Sequence, residues 1–139
     1  MGRPGKWRDG AGTLTVEQAV TVPEAVPLEP VPLEAVPLEI AASYRSRRRG
    51  LLGRDGITGA LLLTPANSIH TFGMRFAIDV AYLDRAFRVL DVVTMRPGRL
   101  GMLRLRARHV LEAEGGAMAG WGLWPGAEVR VTVAPSRGE

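Results

Sequence analysis

Residues 77–93 read Ala77-Ile78-Asp79-Val80-Ala81-Tyr82-Leu83-Asp84-Arg85-Ala86-Phe87-Arg88-Val89-Leu90-Asp91-Val92-Val93. An apolar run, a polar interruption at Asp84 to Ala86 and a second, valine-rich run describe a strand, a turn and a return strand. The return alternates imperfectly, because Leu90 and Asp91 break the pattern set by Phe87 and Val89. A hairpin at the centre of the chain commits the fold to β-structure, and the flanking segments can be tested against it.

Towards the C-terminus, residues 96–108 are arginine-rich and broken by Pro97-Gly98 and Gly101, a loop with a short extended piece. His109 to Glu114 is a strand candidate, Gly115-Gly116 a turn, and Met118 to Leu123 a short helix or turn. After Pro125-Gly126, Val129, Val131 and Val133 alternate with Glu128, Arg130 and Thr132, the clearest strand signal in the chain. Towards the N-terminus, Gly59 to Leu63 is a short apolar strand stopped at Thr64-Pro65. Residues 44–53 form a short helix that Ser43 or Ser46 caps and Gly53 ends. Ile40 to Ala42 is a first strand. Six or so short strands joined by glycine and proline turns give an all-β class, β-rich with one or two short helices, as a compact sandwich or partly open barrel. An α+β arrangement stays open if both helical segments are helical.

Residues 26–40 repeat every five: Val-Pro-Leu-Glu-Pro, Val-Pro-Leu-Glu-Ala, Val-Pro-Leu-Glu-Ile. Proline at 23, 27, 30, 32 and 37 blocks helix and central-strand pairing, so an extended polyproline-like state is expected. The expected organisation is a disordered leader over 1–35 carrying the Val-Pro-Leu-Glu repeat, one β-rich domain over 36–134, and a tail over 135–139. Within the leader, Thr13 to Val16 offer only a weak strand.

The 139 residues suffice for one domain with a real core, and there is no cysteine for a disulfide, a thiolate metal cage or a nucleophile. No apolar run of about 18 residues occurs, so no membrane span is expected, and no secretory signal is visible. A cytoplasmic monomer is the expectation. Residues 1–40 hold three basic and six acidic side chains, residues 41–139 fifteen basic and eight acidic. Lys6 is the only lysine, and this arginine bias reads either as phosphate recognition or as a GC-rich coding sequence. Arginines at 45–54 and 96–108 provide a weak nucleic-acid alternative, short of aromatics for base stacking apart from Trp121 and Trp124.

The candidate site is His70-Thr71-Phe72-Gly73-Met74-Arg75-Phe76-Ala77-Ile78-Asp79, which crowds an imidazole, a thioether, a guanidinium and a carboxylate beside a strand core. Buried polar groups need partners, so such a cluster marks either a site or a satisfied corner. In the leading reading His70, Thr71, Met74, Arg75 and Asp79 bind an anionic ligand, which Arg75 grips. In the enzymatic alternative, a small hydrolase-like activity, Asp79 orients His70 as a general base. No catalytic residue is assigned. Ser68 lacks a nucleophile elbow, two histidines without cysteine make a poor metal site, and the glycines at 50, 53, 56 and 59 lack a Walker lysine, so no metal and no cofactor are expected. His109, beside arginines, is expected on the surface. The partner is then a small molecule or a protein, with nucleic acid less favoured and no membrane.

The order of these pieces resembles the family labelled domain of unknown function 192, found in bacteria and archaea, over roughly residues 36–133. The resemblance rests on Arg49-Gly50-Leu51-Leu52-Gly53-Arg54, Gly59-Ala60-Leu61-Leu62-Leu63, His70 with Met74 and Ala77-Ile78-Asp79, Val110-Leu111-Glu112, Gly116 and Pro125-Gly126-Ala127. Ala77 stands where the family usually has proline, and Ala127-Glu128 where an aspartate usually follows the glycine. The resemblance implies a compact β-rich domain and supplies no reaction.

Overall fold

The computed structural model describes residues 7–17 and 35–135. In chain order the elements are β1 (Gly10–Glu17), β2 (Val36–Ala41), α1 (Tyr44–Arg49), β3 (Ala60–Leu63), β4 (Ile78–Leu83), β5 (Val89–Met95), β6 (His109–Glu114), α2 (Ala117–Gly120) and β7 (Glu128–Val133). The seven strands form one sheet in the order β5-β4-β6-β3-β2-β1-β7. Only β2 and β3 run parallel; every other neighbouring pair is antiparallel.

The sheet curls until its two edges touch. Arg88 bridges Glu128, and the backbone N–H groups of Val89, Gly126 and Val129 donate to the carbonyls of Ala127, Val89 and Phe87 at 2.8, 2.9 and 2.9 Å. The half-barrel is thereby stitched at one end, which removes part of the unpaired edge that an open sheet presents. The all-β class and the partly open barrel are what the alternation patterns implied.

Both faces of the sheet are covered. The inner face carries Leu14, Leu38, Ile40, Leu62, Ala81, Leu83, Leu111 and Val129, with Met118 of α2 packed among them. The outer face carries Leu61, Leu63, Ile78, Val80, Tyr82 and Val110, roofed by Leu51, Met74 and Ala107 from the connections. This double cover explains why β4 is apolar almost throughout. It also explains the broken alternation of β5: Tyr82 pairs with Asp91 but Leu83 with Val89, so Leu90 is an extra residue in a β-bulge.

Three expectations need correction. Residues 10–17, placed in a disordered leader, form β1 between β2 and β7, with Leu14 and Val16 buried. The cause is tertiary: β1 gains partners on both edges from strands distant in sequence, which a weak local signal does not reveal. The last repeat copy, residues 36–39, is itself part of β2, because Pro37 stands ahead of Leu38, where pairing with β3 begins. The helix ends at Gly50 rather than Gly53; Gly50 adopts φ 48° and its N–H donates to the Ser46 carbonyl at 3.0 Å. The repeat copies before Ala35, and residues 136–139 of the tail, lie outside the described residues.

Candidate functional site

The ionisable groups of residues 70–79 do not converge. Asp79 is buried on the inner side of β4, where Oδ1 accepts from the Thr94 hydroxyl at 2.7 Å. Its Oδ2 accepts from the backbone N–H groups of Gly116 and Met118 at 2.9 and 3.1 Å. The carboxylate therefore holds the start of α2 against the sheet and has no contact with His70. Thr71 is also buried and structural: its hydroxyl donates to the Arg96 carbonyl at 2.6 Å and accepts from the Arg99 N–H at 2.8 Å, tying two connections together. Arg75 is exposed and pairs with exposed Asp55 at 3.1 Å, a surface contact worth little. His70 is exposed and stacked on Phe72 with ring centroids 5.0 Å apart, and its Nδ1 accepts from the Phe72 N–H at 3.3 Å. Met74 is buried in the outer-face cluster.

His70 and Met74 nevertheless share a cavity. It has a volume of about 140 Å³ and lies between the α1 end and residues 68–74, walled by Leu52, Leu63, Ile69, Phe72 and Met74 and reached by Arg48, Arg49 and Glu112. The α1 side is held by one local cap and by contacts from distant segments. Ser43 caps α1 by accepting from the Ser46 N–H at 3.1 Å. Asp9, ahead of β1, accepts from the N–H groups of Ala42 and Ser43 at 2.7 and 2.8 Å and from the Ser43 and Ser46 hydroxyls, which hold its carboxyl far below the usual carboxylate range. Arg47 donates to the Ala42 and Pro65 carbonyls at 3.2 and 3.0 Å, tying α1 to the segment that follows β3. Arg48 and Arg49 are exposed and make no ion pair among the described residues.

Glu112 on β6 is the unusual residue here. It is only 2% exposed, and its Oε2 has no hydrogen-bond partner among the described residues. Burial pushes its carboxyl up to about 8, against the opposing pull of Arg54. Arg54 is itself committed to Glu39 through contacts of 2.7 and 3.1 Å. Burial therefore favours the protonated, neutral form of Glu112, which lines the cavity. Gly50 faces it: a Cβ there would come within 3.8 Å of Oε2, and φ 48° disfavours any other residue.

Glu112, Arg48, Arg49 and Phe72 were not assigned to the ligand-binding set from the sequence, although Phe72 lies in the candidate decapeptide and Arg49 and Glu112 in segments that carry the family resemblance. The one available signal was its place in Val110-Leu111-Glu112: a carboxylate on a covered strand face needs an account. Three of the segments that carry the family resemblance, at 49–54, 70–74 and 110–112, meet at this cavity. His109 also differs from expectation. It is buried, shares a 2.7 Å hydrogen bond with the Thr64 hydroxyl and stacks on Phe87 at 4.1 Å, and burial lowers its pKa to about 4. Among the described residues, no three or more His, Asp or Glu side chains gather as a metal site.

Comparison with known proteins places these features in context. The pattern of the family described as Uncharacterized ACR, domain of unknown function 192, matches residues 29–131. A UPF0127 protein of Pyrococcus horikoshii is 37% identical over 82 residues, which cover 55% of this chain and 71% of that protein. A protein of unknown function from Novosphingobium aromaticivorans has a similar fold, with a TM-score of 0.66, 16% identity, and coverage of 86% of this chain and 84% of its own. A protein from Sinorhizobium meliloti, given as a proposed transcription regulator, has a TM-score of 0.70 at 14% identity, covering 91% of this chain and 98% of its own. At such identities the two solved structures speak to the fold alone.

Proposed function

Since the chain belongs to the family labelled domain of unknown function 192, whose description names no activity, its role has to be argued from its own residues, and we propose that it is a small-molecule binding domain whose ligand enters the cavity above Glu112. The observation that carries this reading is a buried carboxyl, on a residue lining the cavity, with one oxygen lacking a hydrogen-bond partner among the described residues. An unmet buried polar group costs roughly 1–3 kcal/mol, a cost that makes sense where a ligand meets the group. The leading sequence reading, an anionic ligand near His70 and Met74, keeps its neighbourhood but changes its grips. Arg48 and Arg49 replace Arg75 as the cations, and Glu112 replaces Asp79 as the carboxyl.

The walls supply the rest of the specificity. Leu52, Leu63, Ile69, Phe72 and Met74 favour an apolar body, and the volume of about 140 Å³ admits only a small one. A short monoanion fits this combination. One of its oxygens accepts from the protonated Glu112, and the rim guanidiniums balance its charge. The enzymatic alternative loses its support, because Asp79 is spent on Thr94, Gly116 and Met118 and cannot orient His70.

The test is titration calorimetry with butyrate, hexanoate and benzoate across a pH series. Affinity is expected to fall as pH rises through about 8, where Glu112 ionises and repels the anion. Glu112→Gln should keep binding and lose that fall. No heat from any of the three at pH 6, or an unchanged pH profile in Glu112→Gln, overturns the proposal.

A further inference from the structure

The connection between β5 and β6 presents a run of exposed apolar side chains. Leu100, Met102, Leu103 and Leu105 are 73, 75, 55 and 78% exposed. Arginine is interleaved at 99, 104, 106 and 108, and no acidic residue occurs between Met95 and His109. Arg104 turns back onto the body, paired with Asp91 at 2.8 Å and lying 4.5 Å over the Tyr82 ring; Arg99, Arg106 and Arg108 stay exposed. The segment is anchored rather than loose. Gly101 N–H donates to the Ile69 carbonyl at 2.8 Å, Arg104 N–H to Asn67 at 3.0 Å, and Arg108 N–H to Leu83 at 2.8 Å. Its apolar tips are therefore held out in advance, so little ordering entropy opposes docking.

Exposed apolar runs of this kind mark interaction sites. We propose that residues 99–106 dock on an anionic lipid surface, the leucine and methionine side chains entering the boundary between headgroups and acyl chains while the arginines meet lipid phosphates. A folded protein partner is the poorer fit: a stable interface needs about 800 Å² on each side with matched shape, more than one loop tip offers. Nucleic acid would use the guanidiniums and leave the alkyl groups in water. A bilayer uses both, because hydrocarbon accepts alkyl side chains without a shape requirement and each basic residue near an anionic leaflet adds attraction. The expectation of no membrane partner rested on spanning segments. None of the described helices is long and apolar enough to cross a membrane, and a loop lying in the interface needs no such helix. Leu100 bridges His70, so the docking loop adjoins the cavity mouth, but the inference does not depend on what the cavity binds.

The experiment is sedimentation of the full chain with phosphatidylglycerol vesicles and with phosphatidylcholine vesicles, at low and high salt. The expected result is binding to phosphatidylglycerol that salt weakens, with little binding to phosphatidylcholine. Leu100→Ser combined with Leu105→Ser should weaken it about tenfold or more with an unchanged melting temperature. Arg99→Gln combined with Arg106→Gln should remove most of the salt dependence. Because the chain has no cysteine, Leu105→Cys carries a single environment-sensitive dye, whose emission should shift to the blue on anionic vesicles and keeps the test open if the serine variant fails to fold. No sedimentation with phosphatidylglycerol at low salt, equal binding to both lipids, or a dye that does not respond overturns the proposal. So does heparin retention without vesicle binding, which would assign the surface to nucleic acid.

Discussion

At the scale of single residues, two buried carboxyls on neighbouring strands have opposite fates. In the β4–β6 register Asp79 lies opposite Ala113 and Val80 opposite Glu112. Asp79 faces α2 and is satisfied by three donors, whereas Glu112 lines the cavity with one oxygen unpaired among the described residues. Asp79→Ala strands two backbone N–H groups and should lower unfolding free energy in urea by about 2–4 kcal/mol. His70→Ala, which changes an exposed ring, should stay within about 0.5 kcal/mol. Glu112 has the reverse sign. Its folded pKa of about 8 lies above the ordinary 4.5, so the folded state holds a proton that the unfolded state has released between those values. Its effect on stability is least adverse below about 4.5 and worsens until pH passes 8. Glu112→Gln should therefore raise the melting temperature, more at pH 9 than at pH 5, by an amount corresponding to a few kcal/mol at the alkaline end. His109 acts on the acid side: its folded pKa of about 4 lies below 6.5, so its share of stability is lost as pH falls from about 6.5 to 4. The sequence exposed Asp79 as polar within an apolar run but could not say that donors from Thr94, Gly116 and Met118 meet it, because those residues lie 15 or more positions away.

At the scale of elements, local patterns located most strands and erred where a partner overrode them. β3, β4, β6 and β7 fall where apolar runs and alternation put them. β1 escaped because its short alternating stretch becomes a strand only between β2 and β7. β5 alternates imperfectly because the sheet absorbs an extra residue at Leu90, whose position depends on the partner strand. β2 accepts Pro37 because β3 begins its pairing one residue later, and Gly59 makes that junction possible. With φ 77°, Gly59 comes so close that a Cβ would lie 2.2 Å from the Pro37 carbonyl oxygen. Gly59→Ala should cost roughly 2–4 kcal/mol in denaturant titration, through strain and a forced parting of β2 from β3. A variant of unchanged stability would show that this junction yields freely.

At the scale of the molecule, stability depends on a sheet closed by its distant ends. β1 contributes Leu14 and Val16 to the inner core and is the hydrogen-bonded link from β7 to β2. A chain beginning at residue 18 loses that link and leaves β2 and β7 as open edges, so it should melt at least 10 °C lower (about 2.5 kcal/mol or more for a domain of this size) and associate on size-exclusion chromatography. By itself the sequence determined the all-β class and the positions of most strands and turns, because side-chain alternation, glycine and proline turns and capping are read from adjacent residues. Only the tertiary structure decided that the N-terminal segment joins the sheet, that Asp79 is a structural anchor and that Glu112 is the unpaired carboxyl. Burial and hydrogen-bond partners are set by residues brought together from far along the chain, and no local pattern encodes them.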